Sequence, residues 1–293
     1  MTSLFLILLY FSGLTYSAAP AEHYYAADRN VIGSVELYTV KKGESLIEIA
    51  PKFNLGYNAI SEANPNVDPF IPPADLTVRI PTMWIIPDVP AREGIVINIS
   101  EMRLYYFLEK ETKLMMTFPI GVGDEGKDTP VGEFKVVQKI VSPYWYVPKS
   151  IKTERPELPS VVPPGPENPL GSHAMRLSLP SVLIHGTNKP FSVGHRATHG
   201  CIRLYPEDIR RLFRMVSKGE KVTIVRQPIK VGVRLNRVFM EVHDDGNSHY
   251  LLEAVDVLGS KKLLGKVDGK KMLRALTEKS GIPVDITMDQ PVE

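Results

Sequence analysis

Short apolar runs separated by turn-forming residues dominate the chain from residue 94 onward. Runs of this length, with Gly and Pro between them, are typical of strands. The best strand segments are residues 95–99, 103–107, 114–120, 132–137, 182–185 and 222–225. Helical periodicity is confined to short stretches such as residues 206–216, which start with proline in the first turn. The pattern therefore predicts a mainly β fold for this part of the chain.

A smaller unit with a different pattern precedes it, at residues 38–82. It opens with the strand-like alternation of residues 37–40, and the spacing of Ser45 and Glu48 is that of a helix capping box. A second short helix is predicted at residues 57–63, and residues 76–81 form a returning strand. The predicted order of elements is βααβ.

This unit resembles a LysM domain, a small module that binds glycans containing N-acetylglucosamine. The matching segments are Tyr38-Thr39-Val40, Gly43-Glu44-Ser45-Leu46, Ile49-Ala50, Ile60, Asn64-Pro65 and Val78-Arg79-Ile80-Pro81. Pro72-Pro73-Ala74-Asp75 stands where the LysM pattern usually has a glycine. A role as a spacer that only positions the next domain is therefore the alternative.

The remaining segments complete the predicted organisation. Residues 20–37 and 83–93 are interpreted as linkers, and residues 94–226 as a β-rich catalytic domain with a sandwich-like sheet. Residues 227–293 form a small α+β extension with one strand at 237–243. Its helical candidates are residues 247–257 and 268–279.

The amino-terminal residues have the pattern of a targeting signal. Residues 4–14 are an apolar run, and Ser17, Ala18 and Ala19 follow it. Residues 1–19 are therefore predicted to be a secretory signal peptide. An uncleaved anchor is the alternative, although the run is shorter than the roughly 20 residues of a membrane span. We expect an exported protein of the periplasm or cell wall.

Composition narrows the possible functions. The 293 residues include 35 basic and 33 acidic side chains, for a net charge of +2, so no electrostatic footprint for nucleic acid is present. The chain has one cysteine, Cys201. An exported protein with one cysteine has no internal disulfide, so the thiol needs another explanation.

The neighbours of Cys201 indicate nucleophilic catalysis. His185, His195 and His199 precede it within 17 positions. A histidine can take the proton of a cysteine thiol and so generate the thiolate that attacks a carbonyl. His185 ends a predicted buried strand and is the candidate base. The N–H groups around Gly200 and Cys201 are candidates for an oxyanion hole.

At these residues the chain resembles the YkuD-type L,D-transpeptidases. The family pattern is a histidine, about 15 residues, and then Ser/Thr-His-Gly-Cys, and Thr129-Pro130-Val131-Gly132-Glu133-Phe134 is also typical of it. The resemblance makes Cys201 the nucleophile and His185 the base, with His199 and Gly200 shaping the site. Arg203 is a candidate ligand for a substrate carboxylate. The other candidate substrate-binding residues are Gly186, Thr187 and Ser192, and Trp145 and Tyr146 are candidates for a groove.

The resemblance implies a reaction on peptidoglycan without a metal or an organic cofactor. The thiolate attacks the bond between the third stem residue, often meso-diaminopimelate, and D-Ala, and an amine resolves the thioester. The acceptor is a second stem, giving 3→3 cross-links, a lipoprotein lysine at the outer membrane, or a free D-amino acid. The alternatives are an L,D-carboxypeptidase, a catalytically inactive wall-binding protein, and a zinc hydrolase that uses the three histidines and Cys201.

Overall fold

The computed structural model describes residues 24–109, 111–246 and 249–289. The predicted signal peptide at residues 1–19 lies outside these described residues. Within them, no helix has both the length and the apolar character that crossing a bilayer requires.

Strands are the main elements of the described chain. In chain order they are β1 (Tyr25–Ala26), β2 (Val31–Gly33), β3 (Glu36–Thr39), β4 (Thr77–Ile80), β5 (Met83–Ile85), β6 (Gly94–Asn98), β7 (Arg103–Phe107), β8 (Leu114–Pro119), β9 (Val122–Gly123), β10 (Gly132–Val141), β11 (Trp145–Tyr146), β12 (Val161–Val162), β13 (His173–Leu177), β14 (Leu183–His185), β15 (Arg196–Thr198), β16 (Ile202–Arg203), β17 (Lys221–Val225), β18 (Ile229–Arg234), β19 (Arg237–Val242) and β20 (Val284–Asp285). The helices are α1 (Leu46–Ile49), α2 (Tyr57–Ala63), α3 (Lys149–Glu154), α4 (Pro206–Met215), α5 (Tyr250–Ser260) and α6 (Gly269–Glu278), and 3₁₀ turns lie at Ala50–Phe53, Pro190–Ser192 and Leu264–Lys266.

One nine-stranded sheet organises the molecule, in the order β1-β8-β7-β6-β17-β10-β13-β14-β16. The long strand β10 belongs to both halves of it, because its first residues pair with β17 and its later ones with β13. The register shifts between Val136 and Gln138, and such a bulge bends a strand. The mainly β class is confirmed, and two halves of one curled sheet account for the sandwich-like shape.

The inner face of this sheet and helix α4 enclose the main core. Proline in the first turn starts α4, as predicted, and Ile209 and Leu212 on its inner side are fully buried. The strands contribute branched and aromatic side chains, among them Ile95, Ile97, Leu104, Phe118, Ile184 and Ile202. Burial of these apolar groups is the main stabilising contribution to the sheet that carries the site.

The βααβ unit forms as the sequence predicts. β3 and β4 pair antiparallel, with Tyr38 opposite Val78. Ser45 and Glu48 make the reciprocal capping box at the start of α1. The core of the unit continues onto the outer face of the large sheet, where it includes Val96 and Tyr105. The module is therefore packed on the sheet.

The two segments interpreted as linkers contain strands, and this corrects the prediction. In 20–37, β1 pairs with β8 and β2 pairs with β5, which itself lies in 83–93. Val31 and Trp84 on these strands are buried. The strands are only two or three residues long and pair over long sequence distances, so no local periodicity marks them.

The carboxyl-terminal extension is α+β, as expected. β18, β19 and β20 form its sheet, and α5 and α6 pack on this sheet. The first predicted helix begins only at Tyr250. The second is capped by Asp268 and ends at Glu278, with Lys279 as its left-handed C-cap, and Gly281 just beyond also has a positive φ.

A buried ionic cluster joins the three units, and we call it the junction cluster. Lys230 Nζ from the extension lies 2.8 Å from Glu101 of the large sheet domain and 2.9 Å from Glu241. His243 lies 2.8 Å from Glu241 and 3.0 Å from Glu62 of the βααβ unit. Removing one member of such an ion pair would leave the other charge buried and unpaired, which would lower the stability of the fold.

Candidate active site

Three neighbouring strands at the end of the large sheet carry the site. In β13 and β14, Arg176 lies opposite Leu183, and in the parallel pair β14 and β16, His185 lies opposite Arg203. Cys201 immediately precedes β16 and is therefore level with Leu183. Because side chains alternate along strands, Cys201, His185, Arg203 and Arg176 all emerge on one face. The sequence pattern alone had predicted this only for His185 and Cys201.

A tight turn presents Cys201, the candidate nucleophile. It follows β15, which pairs with β9, and the Thr198 hydroxyl closes it by donating to the Cys201 carbonyl at 2.7 Å. Gly200 has φ +94°, and a Cβ there would lie 3.3 Å from the Asp128 carbonyl oxygen. Within the described chain, the N–H groups of Gly200 and Cys201 donate no hydrogen bond. They are free to bind an oxygen that becomes negative.

The Cys201 thiol is half-buried, and this burial favours its protonated form. Its Sγ donates a long hydrogen bond to the Ser181 carbonyl at 3.7 Å. Burial raises the pKa of Cys201, against opposing contributions from a backbone hydrogen bond with Leu183 and from the charges of Arg203 and Arg176. The thiolate therefore needs a base or a bound substrate to form at neutral pH.

His185 is the candidate for that base. The residue is buried, and its Nδ1 lies 2.5 Å from the Gly186 carbonyl oxygen. A carbonyl only accepts, so Nδ1 carries the proton and Nε2 keeps its lone pair. Burial and then the nearby Arg203 charge lower the pKa of His185 to about 3, although the bond to Gly186 opposes them. The imidazole is thus neutral across the physiological range.

The site opens into a cleft of about 420 Å³. Its floor holds Cys201 and His185, with His199 and Arg203 beside them. An arch formed by residues 142–169 covers one side. The arch contributes aromatic and apolar side chains, namely Pro143, Tyr144, Trp145, Tyr146, Pro148, Ile151 and Pro169, and Leu170 follows directly after it. Such a wall suits an extended chain with polar groups only at the reacting end.

A hydrogen bond between Glu154 and His199 connects the arch to the turn that carries Cys201. Glu154, the last residue of α3, lies 3.1 Å from His199 Nε2 and 2.8 Å from Lys127 Nζ. Hydrogen bonds to Lys127 and then His199 lower the pKa of Glu154. His199 is therefore held at the rim, where it connects the arch to the turn.

Three of the predicted substrate-binding residues do not line the cleft. Thr187 is buried and its hydroxyl accepts from the Lys189 N–H, while the Ser192 hydroxyl donates to the Lys189 carbonyl. A Cβ on Gly186 would lie 2.9 Å from Ile209 Cγ2. Their positions support a role in shaping the loop between base and nucleophile, not contact with substrate.

The zinc hypothesis requires histidines that the fold keeps apart. His195 stacks on Tyr57 with ring centroids 4.2 Å apart, away from the cleft, and His199 is engaged by Glu154. Across the described ranges, the grouping with metal-ligand spacing is Glu101, Glu241 and His243, in the junction cluster. Lys230 already supplies the cation there.

Sequence reasoning missed two polar residues of the site. Arg176 lies on β13, a strand that no local pattern marked, and it reaches the cleft only through sheet pairing. Glu154 is 45 positions from its partner His199. Neither shows a motif, so the signal that places them is three-dimensional.

Two family models match the chain, one over the large sheet domain and one over the βααβ unit. Residues 92–224 match the family model described as L,D-transpeptidase catalytic domain, and residues 38–81 match the LysM domain model. The protein named "Probable L,D-transpeptidase YcfS" of Escherichia coli (strain K12) is 38% identical over 281 residues, covering 90% of this chain and 87% of its own. "Probable L,D-transpeptidase ErfK/SrfK" of Salmonella typhimurium is 34% identical, and the match covers 85% of this chain and 84% of that protein.

Among solved structures, the catalytic domain of the Enterococcus faecium L,D-transpeptidase, determined by NMR, is similar. It covers 45% of this chain and 96% of its own, with 25% identity and a TM-score of 0.35. The assignment rests on the sequence relatives, which match along most of both chains. Together with the cysteine and histidine on one sheet face, they show that the chain belongs to the L,D-transpeptidase family and carries a LysM domain.

Proposed function

We propose that the protein is a peptidoglycan L,D-transpeptidase that works through a thioester on Cys201. The observation that carries the proposal is the placement of Cys201 and His185 on one face of adjacent strands, at the floor of one cleft. The thiol is protonated and the imidazole is neutral with a free lone pair, which is the starting state for proton transfer at the moment of attack.

The reaction divides into two acyl transfers. Nε2 of His185 takes the thiol proton as Sγ bonds to the carbonyl carbon of the stem peptide. The oxygen becomes negative within reach of the Gly200 and Cys201 N–H groups. Collapse breaks the C–N bond, the imidazolium returns its proton to the leaving amine, and D-Ala departs. An amine then attacks the thioester carbon and His185 takes its proton. The C–S bond breaks as the new amide forms, and the imidazolium returns the proton to the sulfur, which restores the thiol.

Arg203 supports a substrate with a carboxylate near the scissile bond. Its guanidinium has no ion-pair partner in the described chain, and its buried Nε–H has no hydrogen-bond partner. Burial lowers the pKa of Arg203, which reflects the cost of the unsolvated charge. A carboxylate bound at this point would relieve that cost.

The proposed substrate is the bacterial cell wall, and the proposed location of the protein follows from it. The LysM domain is proposed to bind glycan, residues 1–19 to act as an export signal, and the periplasm to be the site of action. The acceptor is proposed to be the amine of a second stem, and a lipoprotein lysine is the other amine that the same thioester would accept.

Mass spectrometry of the purified protein with a disaccharide-tetrapeptide tests the proposal, with Cys201→Ser alongside. The expected result is a thioester adduct and cross-linked dimer that the variant lacks. Adding a lysine-terminated lipoprotein peptide shows which amine is preferred. Tripeptide alone would make water the acceptor and the protein a carboxypeptidase. An unreactive donor with a folded, intact protein would overturn the proposal.

A further inference from the structure

One end of the carboxyl-terminal extension carries an exposed leucine on a tight turn. Leu235 and Asn236 connect β18 to β19, and both have left-handed φ angles, +51° and +61°. The Leu235 side chain is 89% exposed to solvent. It contributes nothing to the core of the extension, so a reason for an apolar residue here has to be sought in its surroundings.

Two further exposed apolar side chains lie at the same end. β20 pairs antiparallel with β19, so the residues that follow β20 run toward the Leu235 turn. Met288 is one of them, and its N–H donates to the Lys266 carbonyl at 2.9 Å, which fixes the 3₁₀ turn at Leu264–Lys266 beside it. Met288 is 51% exposed and Leu264 is 48% exposed. Three separate segments therefore present apolar side chains at one end of the extension.

Lysines surround these apolar side chains along residues 261–271, where five of the eleven positions are lysine. Two of the five form ion pairs with aspartates. The other three are exposed and form no ion pair with a described residue, namely Lys262, Lys266 and Lys270. Their charges are available to an external anion.

The aspartates that the structure describes at this end are already engaged. Asp285 and Asp289 both pair with Arg237, and Asp289 also pairs with Lys271. Asp268 accepts from two backbone N–H groups at the start of α6. The end therefore presents unpaired positive charge around exposed apolar side chains.

The chain also enters the fold at this end. Tyr24, the first described residue, lines a cavity of about 230 Å³ together with Arg234, the residue directly before Leu235. The Arg234 guanidinium donates to the Gly33 carbonyl at 2.9 Å, which joins the hairpin to the entering strands. The predicted export signal at residues 1–19 is thus connected to the protein next to the hairpin turn. Export through a bilayer starts with this end nearest to the lipid.

We propose that this end of the extension, the basic end, docks on the surface of the membrane through which the protein is exported. The three apolar side chains enter the headgroup region, and the three unpaired lysines contact anionic phospholipid headgroups. A bilayer surface offers both kinds of contact side by side. With few side chains involved, the docking is peripheral and reversible. The inference rests on the proposed export and not on the chemistry of Cys201.

Co-sedimentation with vesicles tests the docking. The exported protein is mixed with vesicles of pure phosphatidylcholine, or with an equal part of phosphatidylglycerol, at low and high salt. Only the anionic vesicles should bind it through the lysines, and high salt should weaken that binding. The neutral vesicles account for any binding by a retained amino-terminal segment. Absence of binding to the anionic vesicles would overturn the proposal.

Charge variants locate the contact. The triple variant Lys262→Gln, Lys266→Gln and Lys270→Gln should lower the partition coefficient onto anionic vesicles by about 10–100-fold. The control carries the same change of charge at exposed lysines elsewhere, Lys42→Gln, Lys135→Gln and Lys218→Gln. Equal losses in the two triple variants would assign the binding to net charge alone and would rule out a specific basic end.

Leu235→Asn tests the apolar contact. Asparagine adopts the left-handed conformation readily, so the hairpin turn is retained while the apolar side chain is removed. We expect binding to anionic vesicles to weaken by about 3–10-fold, with the thermal midpoint of unfolding unchanged. Unaltered binding would contradict insertion of the turn.

Two other occupants of the basic end give different results. Sedimentation equilibrium showing a dimer that Leu235→Asn dissociates would mean that a second copy covers this face. Binding to isolated peptidoglycan that the lysine triple variant weakens, without binding to anionic vesicles, would assign the lysines to an acidic wall polymer. Either result would overturn the membrane proposal.

Discussion

Tyr57 of the LysM domain stacks on His195 of the loop that leads to the nucleophile, with the two rings 17° from parallel. The Tyr57 N–H also donates to the Val193 carbonyl at 3.1 Å. Between these contacts, Gly194 has φ +85°, and its α-carbon faces Gly56 so closely that a Cβ would overlap the Tyr57 nitrogen. The LysM domain thus packs directly against the loop that positions Cys201.

Substituting Gly194 tests whether this docking controls the thiol. Gly194→Ala should separate the loop from the LysM domain, slow alkylation of Cys201 by iodoacetamide, and cost about 1–3 kcal/mol more than a left-handed alanine alone. Gly43→Ala is the matched control, because Gly43 has φ +82° and no atom within 4 Å of its would-be Cβ. Measurements of alkylation rate and urea unfolding on both variants suffice. Equal effects from the two alanines would show that the interface does not act on the loop.

The thiol should respond to the loss of its neighbouring cation. The Arg203 charge opposes the effect of burial and keeps the pKa of Cys201 lower than it would otherwise be. Replacing it, as in Arg203→Gln, removes that attraction for the thiolate, so the pH profile of iodoacetamide alkylation should move to higher pH. The thermal midpoint of unfolding is recorded beside it. A profile that stays in place, or moves to lower pH, would contradict the assigned geometry.

His185 links folding stability to acid. Its pKa is about 3 in the folded protein and about 6.5 when exposed, so below pH 6.5 the unfolded chain binds a proton that the folded one excludes. The stabilising contribution of the neutral ring is present above pH 6.5 and is lost as the pH falls toward 3. Between pH 7.5 and 4.5, the stability of the unaltered protein relative to His185→Gln should fall by about 2–3 kcal/mol. Urea unfolding at the two pH values measures this, and a constant difference would show that His185 is not buried as a neutral base.

The junction cluster should behave in the opposite sense. Burial alone would lower the pKa of His243, but its hydrogen bonds to Glu241 and Glu62 raise it to about 10. The stabilisation is therefore complete below pH 6.5 and is lost as the pH rises toward 10. Denaturation between pH 6 and 10 should show this decline in the unaltered protein, and His243→Gln should lack it.

Lys230 gives the cluster a separate test at neutral pH. Lys230→Met leaves buried Glu101 without its cation and Glu241 with His243 as its remaining partner, and should cost about 3–5 kcal/mol. The matched control is Lys221→Met, whose ion pairs with Glu93 and Glu133 involve exposed, solvent-screened carboxylates, so its loss should change stability far less. Similar losses in urea unfolding for the two variants would mean that the cluster does not hold the units together.

The sequence was most informative where structure is local. The capping box of Ser45 and Glu48 and the proline that starts α4 appear where the pattern places them, because these signals act within one helical turn. The pairing of β2 with β5 was missed, since three-residue strands carry no periodicity and their partners are far apart in sequence.

The residues of the candidate site fall into the same two groups, those placed by local sequence and those placed only by tertiary structure. The motif places Cys201, His199 and Gly200 in one turn, and strand alternation places His185 beside them. Arg176 required knowledge of which strand pairs with β14, and Glu154 required the path of the arch. These contacts depend on the register of the whole sheet, which residue spacing does not encode.

The way the LysM domain is mounted has a consequence for where the enzyme acts along a polymer. Arg103 donates to the Asn54 carbonyl, Tyr205 donates to the Leu55 carbonyl, and the junction cluster ties Glu62 to His243. A module held at so many points cannot swing on a tether. A sugar bound to it would lie at a constant distance from Cys201. The protein would therefore modify stems at a set interval from each bound glycan unit.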